Sequence, residues 1–169
     1  MLSLIQVLSP EPVTLAEVKE HLGVDHNDDD ALIGLSISAA REYVERYTGR
    51  ALVEADYLWS YGPSTIRDFL PIWPATINRA YYIEPDGTQT DLDISDWNLA
   101  PGGMLYCQHD REVNVELHAD PAYSIIPNQL KIVIFLLVES TYDADPKQQD
   151  TLRDAALRIM DLYKISLGF

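Results

Sequence analysis

The sequence predicts a mostly α fold with a small β region (α+β), and three observations lead to this class. Helix-start signals and apolar stripes at helical spacing occupy both ends of the chain, in 14–50 and 127–165. The middle, 51–118, carries short alternating or aromatic-rich stretches separated by Pro and Gly, as strands and turns do. With 169 residues and 47% hydrophobic content, the chain can bury one core. We therefore expect a single domain over 1–169, in which 166–169 is an extended tail.

A capping box marks the first helix. Thr14 and Glu17 stand in T-x-x-E spacing, so the threonine oxygen and the glutamate carboxylate can each satisfy a backbone N–H at the helix start. The helix should run from Leu15 to about Leu22. Gly23 should end it, because glycine adopts the left-handed conformation without steric cost.

The acidic run from Asp25 to Asp30 predicts the start of a second helix. Asp28 is the expected capping residue, and the negative charge suits the positive end of the helix dipole. The helix should span roughly Asp29 to Tyr47 and end at Thr48-Gly49. Its apolar positions recur at steps of four and three, which keeps one stripe facing a core. These positions are Ile33, Ile37, Ala40, Val44 and Tyr47.

Five strands are predicted in the middle of the chain. They are Leu52 to Tyr61, Ile77 to Ile83, Gln89 to Leu92, Met104 to Gln108 and Val113 to His118. Pro85-Asp86-Gly87 has the composition of a tight turn, so the second and third strands should form a hairpin.

Two further helices are predicted after Pro127. Leu130 to Tyr142 is apolar on nearly all sides, which is typical of a buried core helix. Asp145 precedes Pro146 and is followed by Gln148 at the third helical position, a combination that caps and preorganises a helix start. This last helix should run from Pro146 to about Ile165.

Charge and composition exclude several classes of protein. The chain has 27 acidic and 12 basic residues, a formal net charge of -15, which opposes nucleic-acid binding through phosphate neutralisation. The same charge is compatible with DNA passing an acidic wall without specific binding. Cys107 is the only cysteine, so no intrachain disulfide can form, and a reducing cytoplasm suits the chain. We expect neither a signal peptide nor a membrane span, since the longest apolar run is Ile132 to Val138.

The acidic run from Asp25 to Asp30 can be compared with a calcium-binding loop, because hard cations take oxygen ligands at alternate positions. The loop would need Gly at its sixth position and Glu at its twelfth, where the chain has Asp30 and Ser36. The histidines His21, His26, His109 and His118 lack the spacing of zinc ligands. We therefore expect no metal site, and the aspartates are assigned to helix capping.

The sequence also predicts no enzyme and no cofactor. It contains no G-x-S-x-G, no H-E-x-x-H and no phosphate-cradling glycine loop. Cys107 and His109 would share a face of a strand, but no third group marks a catalytic arrangement.

The order of short motifs along the chain is more informative about function than the predicted helices and strands are. The stretch P-V-T-L-A-E-V-K-E-H-L at 12–22, followed by V-D-H-N-D-D-D-A-L-I at 24–33 and A-A-R-E-Y-V-E-R-Y-T-G-R-A-L at 39–52, resembles the opening of the phage head-tail connector family. Further matches follow in order: Trp59, Leu70-Pro71 with Pro74, Asp86-Gly87, Val113 to Leu117, Pro127 and Tyr142. One departure is His118-Ala119-Asp120, where family members often have an aromatic-Gly pair.

This resemblance implies a structural adaptor in the virion neck, assembled in the host bacterial cytoplasm. Its subunits should form a closed ring, expected to be twelve-fold, that extends the DNA channel under the portal protein and receives a stopper or tail-completion protein. The resemblance also implies that the C-terminal segment docks on the portal. The residues expected to carry this contact are Tyr163, Ile165, Leu167 and Phe169.

Alternatives to these expectations stay open. The C-terminal segment can instead fold back on its own core helix. The protein can be a tail-completion or minor capsid protein that acts as a monomer or small oligomer. It can also be an acidic regulator that binds a basic protein.

Overall fold

The computed structural model describes residues 1–95, 97–100, 103–142 and 144–165. The α+β class is confirmed, with four helices and antiparallel strands in these ranges. The chain divides into two compact units, a sheet unit of Met1–Ser9 with Val53–Ala122 and a helical unit of Pro10–Leu52 with Tyr123–Phe169. The single domain over the whole chain stays a prediction.

The helical unit contains all four predicted helices. They are α1 (Leu15–Leu22), α2 (Asp30–Thr48), α3 (Asn128–Tyr142) and α4 (Pro146–Asp161). Their apolar faces meet in one core whose fully buried members include Val18, Ile33, Val44, Leu130, Val133, Ile134, Val138, Ala156 and Met160. The predicted core helix is thus confirmed in α3, although its Ile132 is 46% exposed.

Local signals set the helix ends. The Thr14 hydroxyl accepts from the backbone N–H of Glu17, and the Glu17 carboxylate accepts from that of Thr14, at 3.2 and 2.7 Å. Gly23 ends α1 in the left-handed conformation. The Asp145 carboxylate accepts from the backbone N–H groups of Lys147 and Gln148 at the start of α4.

Two helix ends differ from the prediction. The capping position of α2 is Asp29, one residue after the expected Asp28, and Asp29 makes no side-chain cap. The reason is that the Asp29 carboxylate is used in a tertiary contact described below. Helix α4 ends at Asp161, four residues before the predicted Ile165, because the backbone N–H of Ile165 bonds to the Thr48 carbonyl oxygen at 2.9 Å.

The sheet unit is larger than the small β region expected. In chain order its strands are β1 (Leu2–Val7), β2 (Ala55–Tyr61), β3 (Ser64–Phe69), β4 (Ala75–Ile83), β5 (Gln89–Asp91), β6 (Asn98–Ala100), β7 (Met104–His109) and β8 (Val113–Ala119). Five form an antiparallel sheet in the order β1-β2-β8-β4-β5, and three form a second sheet in the order β3-β7-β6. Strand β8 is central, and its odd-numbered residues from Val113 to Ala119 are buried.

The predicted hairpin between β4 and β5 is confirmed. Gly87 has φ +87°, its N–H bonds to the Glu84 carbonyl oxygen at 2.8 Å, and Thr88 N–H bonds to the Asp86 carboxylate at 2.9 Å. All five predicted strands are present within three residues at either end, while β1, β3 and β6 were not predicted.

Candidate functional site

The loop that follows α2 is fixed from inside the helical unit. Gly49 ends the helix with φ +71°, and the Thr48 hydroxyl donates to the Val44 carbonyl oxygen at 2.8 Å. The backbone N–H of Leu52 donates to Glu45 Oε1 at 2.8 Å. This loop carries the T-G-R-A-L motif. The motif therefore has a structural role, because Gly49 turns the chain and Leu52 then bonds back to a side chain of α2.

A buried ion pair holds the same region. Arg41 and Glu45 lie one turn apart on α2, and their side chains are only 1% and 2% exposed. Arg41 Nε also donates to Glu11 Oε2 at 2.9 Å, which ties the segment before α1 to α2. One buried guanidinium therefore links Glu11, helix α2 and, through Glu45, the loop at Leu52.

Two of the residues expected to dock on a portal contact their own unit. Tyr163 donates its hydroxyl to Gln129 Oε1 at 2.6 Å, and its carbonyl oxygen accepts from Arg50 Nε at 2.7 Å. Ile165 is half-buried and pairs with Thr48 through its backbone. The other two, Leu167 and Phe169, lie outside the described residues.

The acidic run is used for tertiary contacts between helices. Lys19 Nζ donates to Asn27 Oδ1 at 2.8 Å and to Asp30 Oδ1 at 2.6 Å. The Tyr142 hydroxyl donates to Asp29 Oδ2 at 2.6 Å. These bonds join the run to α1 and α3. Among the residues that the structure describes, no cluster of three or more acidic, His or Cys side chains could hold a metal ion.

An apolar groove opens on the helical unit beside α2. It encloses about 440 Å³ and is lined mainly by Leu35, Ala39 and Tyr43 of α2 and by Leu137 of α3, with Arg153 of α4 beside them. Leu35 and Tyr43 are exposed, so α2 carries a second apolar stripe besides the one that enters the core. Large exposed apolar surface on a folded domain marks a contact site.

The sheet unit contains a histidine surrounded by carboxylates. His118 of β8 faces Asp56 of β2, with Nδ1 2.8 Å from Asp56 Oδ1, and its Nε2 lies 3.7 Å from Glu54 and 3.8 Å from Asp120. The hydrogen bond that His118 makes to the Asp56 carboxylate raises the pKa of His118 above its usual 6.5. The Gln6 amide and then His118 lower the pKa of Asp56.

The other residues considered as metal ligands or catalytic groups do not form a common site among the residues that the structure describes. His21 stacks on Phe135 with ring centroids 5.2 Å apart and lies 2.9 Å from Glu139. His26 is 4.0 Å from Asp29. The side chains of Cys107 and His109 fall outside the described part of the structure.

In the ranges that the structure covers, no helix is both long enough and apolar enough to span a bilayer.

Comparison with known proteins supports the family resemblance that was noted in the sequence. Residues 12–72 match the family model described as phage gp6-like head-tail connector protein. The resemblance noted in the sequence is thereby confirmed for the segment that holds α1, α2, β2 and β3. No curated protein sequence matches the chain.

Solved structures extend the similarity to the whole chain. The fold is shared with a chain in the neck of an empty gene transfer agent (GTA) particle computed with C6 symmetry, with a TM-score of 0.69 and 18% identity over 100% of this chain and 97% of that one. A chain in the virion of the native GTA particle has a TM-score of 0.67 at 19% identity, and one in the native neck computed with C12 symmetry has 0.64 at 19%, with the same coverage. At this identity the likeness shows the fold.

The sequence held a signal for the groove that the prediction did not use. Leu32, Leu35, Ala39 and Tyr43 recur at steps of three and four, which is helical spacing. The prediction considered only the stripe beginning at Ile33. Nothing in the sequence signals the pairing of His118 with Asp56, because it depends on the register of two strands far apart in the chain.

Proposed function

We propose that this protein is a structural subunit of the head-tail connector of a tailed phage or phage-like particle. It forms a ring in the neck, under the portal, which extends the DNA channel and offers a platform for a stopper or tail protein. The observation that carries this proposal is the agreement of two comparisons. The connector family matches 12–72 by sequence, and neck proteins match the whole chain by fold.

Ring formation is supported by the symmetry of those particles. Two of the similar chains come from necks computed with C6 and C12 symmetry. A closed ring needs heterologous contacts, in which one face of each subunit fits a different face of its neighbour. The exposed groove beside α2 is one such face.

We place portal docking in segment 166–169. Tyr163 and Ile165 are held against Gln129, Arg50 and Thr48 of their own unit, so they would anchor the segment rather than enter the portal. Leu167 and Phe169 follow at alternate positions, a spacing that suits an extended strand added to a partner. Each such side chain contributes about 1.5–3 kcal/mol when buried, before ordering costs.

The charge of the subunit suits a passive channel. At -15 per subunit, a ring would repel phosphate, so DNA would pass without specific binding. This role requires no catalysis and no bound cofactor.

The proposal is tested by mass measurement and electron microscopy of the protein with its portal. We expect a ring of defined copy number on the portal, even if the isolated subunit is monomeric. A small oligomer that joins particles without contacting the portal would instead favour a tail-completion or minor capsid protein. Binding to a basic protein in place of any particle component would favour the acidic regulator.

A further inference from the structure

The groove beside α2 lacks an occupant among the residues that the structure describes. Leu35 at its edge is 70% exposed, and Leu32 and Tyr43 of the same stripe are also exposed. The opposite stripe of α2, with Ile33 and Val44, is fully buried in the core. The helix therefore presents one apolar face inward and another to solvent, and an exposed apolar face of this kind is suited to a contact with another protein surface.

A second exposed apolar feature lies at the other end of the α3–α4 hairpin. Ile125 is 86% exposed and Leu162 is 74% exposed. In the sequence they stand two residues after Tyr123 and directly before Tyr163, and the rings of these two tyrosines are in contact with centroids 6.4 Å apart. We call Ile125 and Leu162 the apolar tip.

The tip and the groove are well separated within the helical unit. The tip adjoins the start of α3, while Leu137, Ser140 and Thr141 of the groove lie near its end. The thirteen residue steps from Asn128 to Thr141 span roughly 20 Å at a rise of 1.5 Å per step. A subunit therefore cannot place its own tip in its own groove.

We propose that the groove of one subunit receives the apolar tip of the next copy of this chain. The inference rests on the proposed function, since it names the contact by which the ring closes. Because groove and tip are different patches, the contact is heterologous and can repeat around a ring, whereas an isologous contact would stop at a dimer.

Charge supports this choice of occupant. Arg153 lines the groove and forms no ion pair with any described residue. Asp161 immediately precedes Leu162 in the tip, and its Oδ1 accepts from Tyr47 while Oδ2 makes no hydrogen bond to the described residues. An Asp161–Arg153 pair between subunits would place opposite charges beside the apolar contact. Such a pair would partly offset the repulsion between subunits that each carry -15.

Thiol cross-linking of rings assembled on the portal tests the proposal. Subunits carrying Ser36→Cys are mixed with subunits carrying Ile125→Cys and treated with a short bismaleimide. We expect cross-linked dimers from the mixture and none from either variant alone. The double variant should give a ladder up to the full ring. The unchanged chain, with Cys107 alone, supplies the background, and Glu20→Cys on α1 mixed with Ile125→Cys is the matched control.

The outcomes of the cross-linking experiment show whether the groove-tip contact alone is wrong or the connector function is wrong as well. A ring that forms without the Ser36→Cys/Ile125→Cys product overturns the groove-tip contact and leaves the connector proposal standing. Cross-linking of Ser36→Cys with itself also overturns it, because that product indicates an isologous contact. If no ring forms on the portal, both proposals fail.

Charge reversal gives a second measurement that does not depend on cysteine placement. Arg153→Glu should reduce ring occupancy on portals at least several-fold, and adding Asp161→Lys should restore it. The melting temperature of each isolated variant shows whether it still folds. Loss of occupancy by a folded Arg153→Glu variant with no rescue by Asp161→Lys would overturn the proposed pair.

Discussion

Arg41 and Glu45 form an ion pair inside the helical unit, with both side chains almost completely removed from solvent. Burying two charges is costly, and the cost is recovered only when every charged atom has partners. Arg41 also bonds Glu11, and Glu45 also bonds the backbone of Leu52. The pair thus joins two loops that enter and leave the first helical hairpin.

Replacing Arg41 should be strongly destabilising. We expect Arg41→Ala to lower the free energy of unfolding by about 3–5 kcal/mol, because the buried Glu45 carboxylate loses the guanidinium that balances its charge. Urea unfolding followed by circular dichroism measures the change. Arg46→Ala on the same helix is the matched control. Arg46 is 63% exposed and 4.0 Å from Glu42, so its loss should stay within about 0.5 kcal/mol. Equal effects at both positions would contradict a structural role for the buried pair.

The contact of His118 with Asp56 predicts a dependence of stability on pH. The folded pKa of His118 lies above its usual 6.5, so its contribution is complete below that value and is lost as the pH rises through the folded pKa. The pKa of Asp56 is lowered below 3.8, so its contribution is present above 3.8 and is lost as the pH falls through the folded value. The contact should therefore stabilise most between these limits.

His118→Gln should remove the decline in stability above neutral pH. Melting temperatures measured from pH 5 to 9 report the change, and His26→Gln is the control because His26 lies 4.0 Å from its nearest carboxylate on the helical unit. Glu54 and Asp120 also face His118 and would remain in the variant. An unaltered pH profile in His118→Gln would show that the histidine does not titrate with folding.

Calcium should not stabilise the protein. The Asp30 and Asn27 oxygens already accept from Lys19, and Asp29 accepts from Tyr142, so a cation would have to displace these donors. We expect excess calcium to leave the melting temperature unchanged, since only a ligand that prefers the folded state raises it. Magnesium is the control. A rise of many degrees with calcium alone would establish a metal site.

The capping box at Thr14 should contribute a measurable part of the stability. Thr14→Ala removes the oxygen that accepts from Glu17 N–H and should cost about 1 kcal/mol. Thr151→Ala on α4 is the matched control, because the Thr151 hydroxyl bonds only to a carbonyl of its own helix. Alanine favours the helix there, so that change should be neutral or slightly stabilising. Chemical denaturation of both variants decides whether the cap matters.

Deleting 166–169 should separate docking from folding. We expect the shortened subunit to keep its melting temperature, because Tyr163 and Ile165 retain their bonds within the helical unit. Particles made with it should lose the connector and leak DNA or fail to join tails. Ser166→Ala in the full-length chain is the control. An unfolded shortened subunit would indicate a segment that folds back, and normal occupancy on portals would show that the segment does not dock.

The helices were predictable because their signals are local. The Thr14–Glu17 box and Gly23 define α1 to the residue, and Asp145 with Pro146 defines the start of α4. The predicted end of α4 at Ile165 was wrong. In the structure the Ile165 backbone bonds to Thr48, which is more than a hundred residues away in the chain. Such a contact has no local signature.

The strands were likewise predictable where a local sequence signal defines them and not where they depend on pairing with a distant segment. The β4–β5 hairpin follows from Pro85-Asp86-Gly87, and its existence was predicted correctly. Strand β1 was missed because it exists only through its pairing with β2, in which Leu2 lies opposite Trp59. Its sequence, Leu-Ser-Leu-Ile-Gln-Val, lacks a clean alternation of apolar and polar residues.

The division of the chain between its two units has a consequence for synthesis on the ribosome. Strand β1 leaves the sheet unit at Ser9, and the chain returns at Val53, where the Glu54 backbone bonds Leu8 and Ser9 at 2.8 and 2.9 Å. The five-stranded sheet can close once β8 has been translated. Helices α1 and α2, although made earlier, must wait for α3 and α4 before their core is covered. The inner stripe of α2 therefore lacks its packing partners while the strands of the sheet unit are being translated, so the helical unit is the last to close.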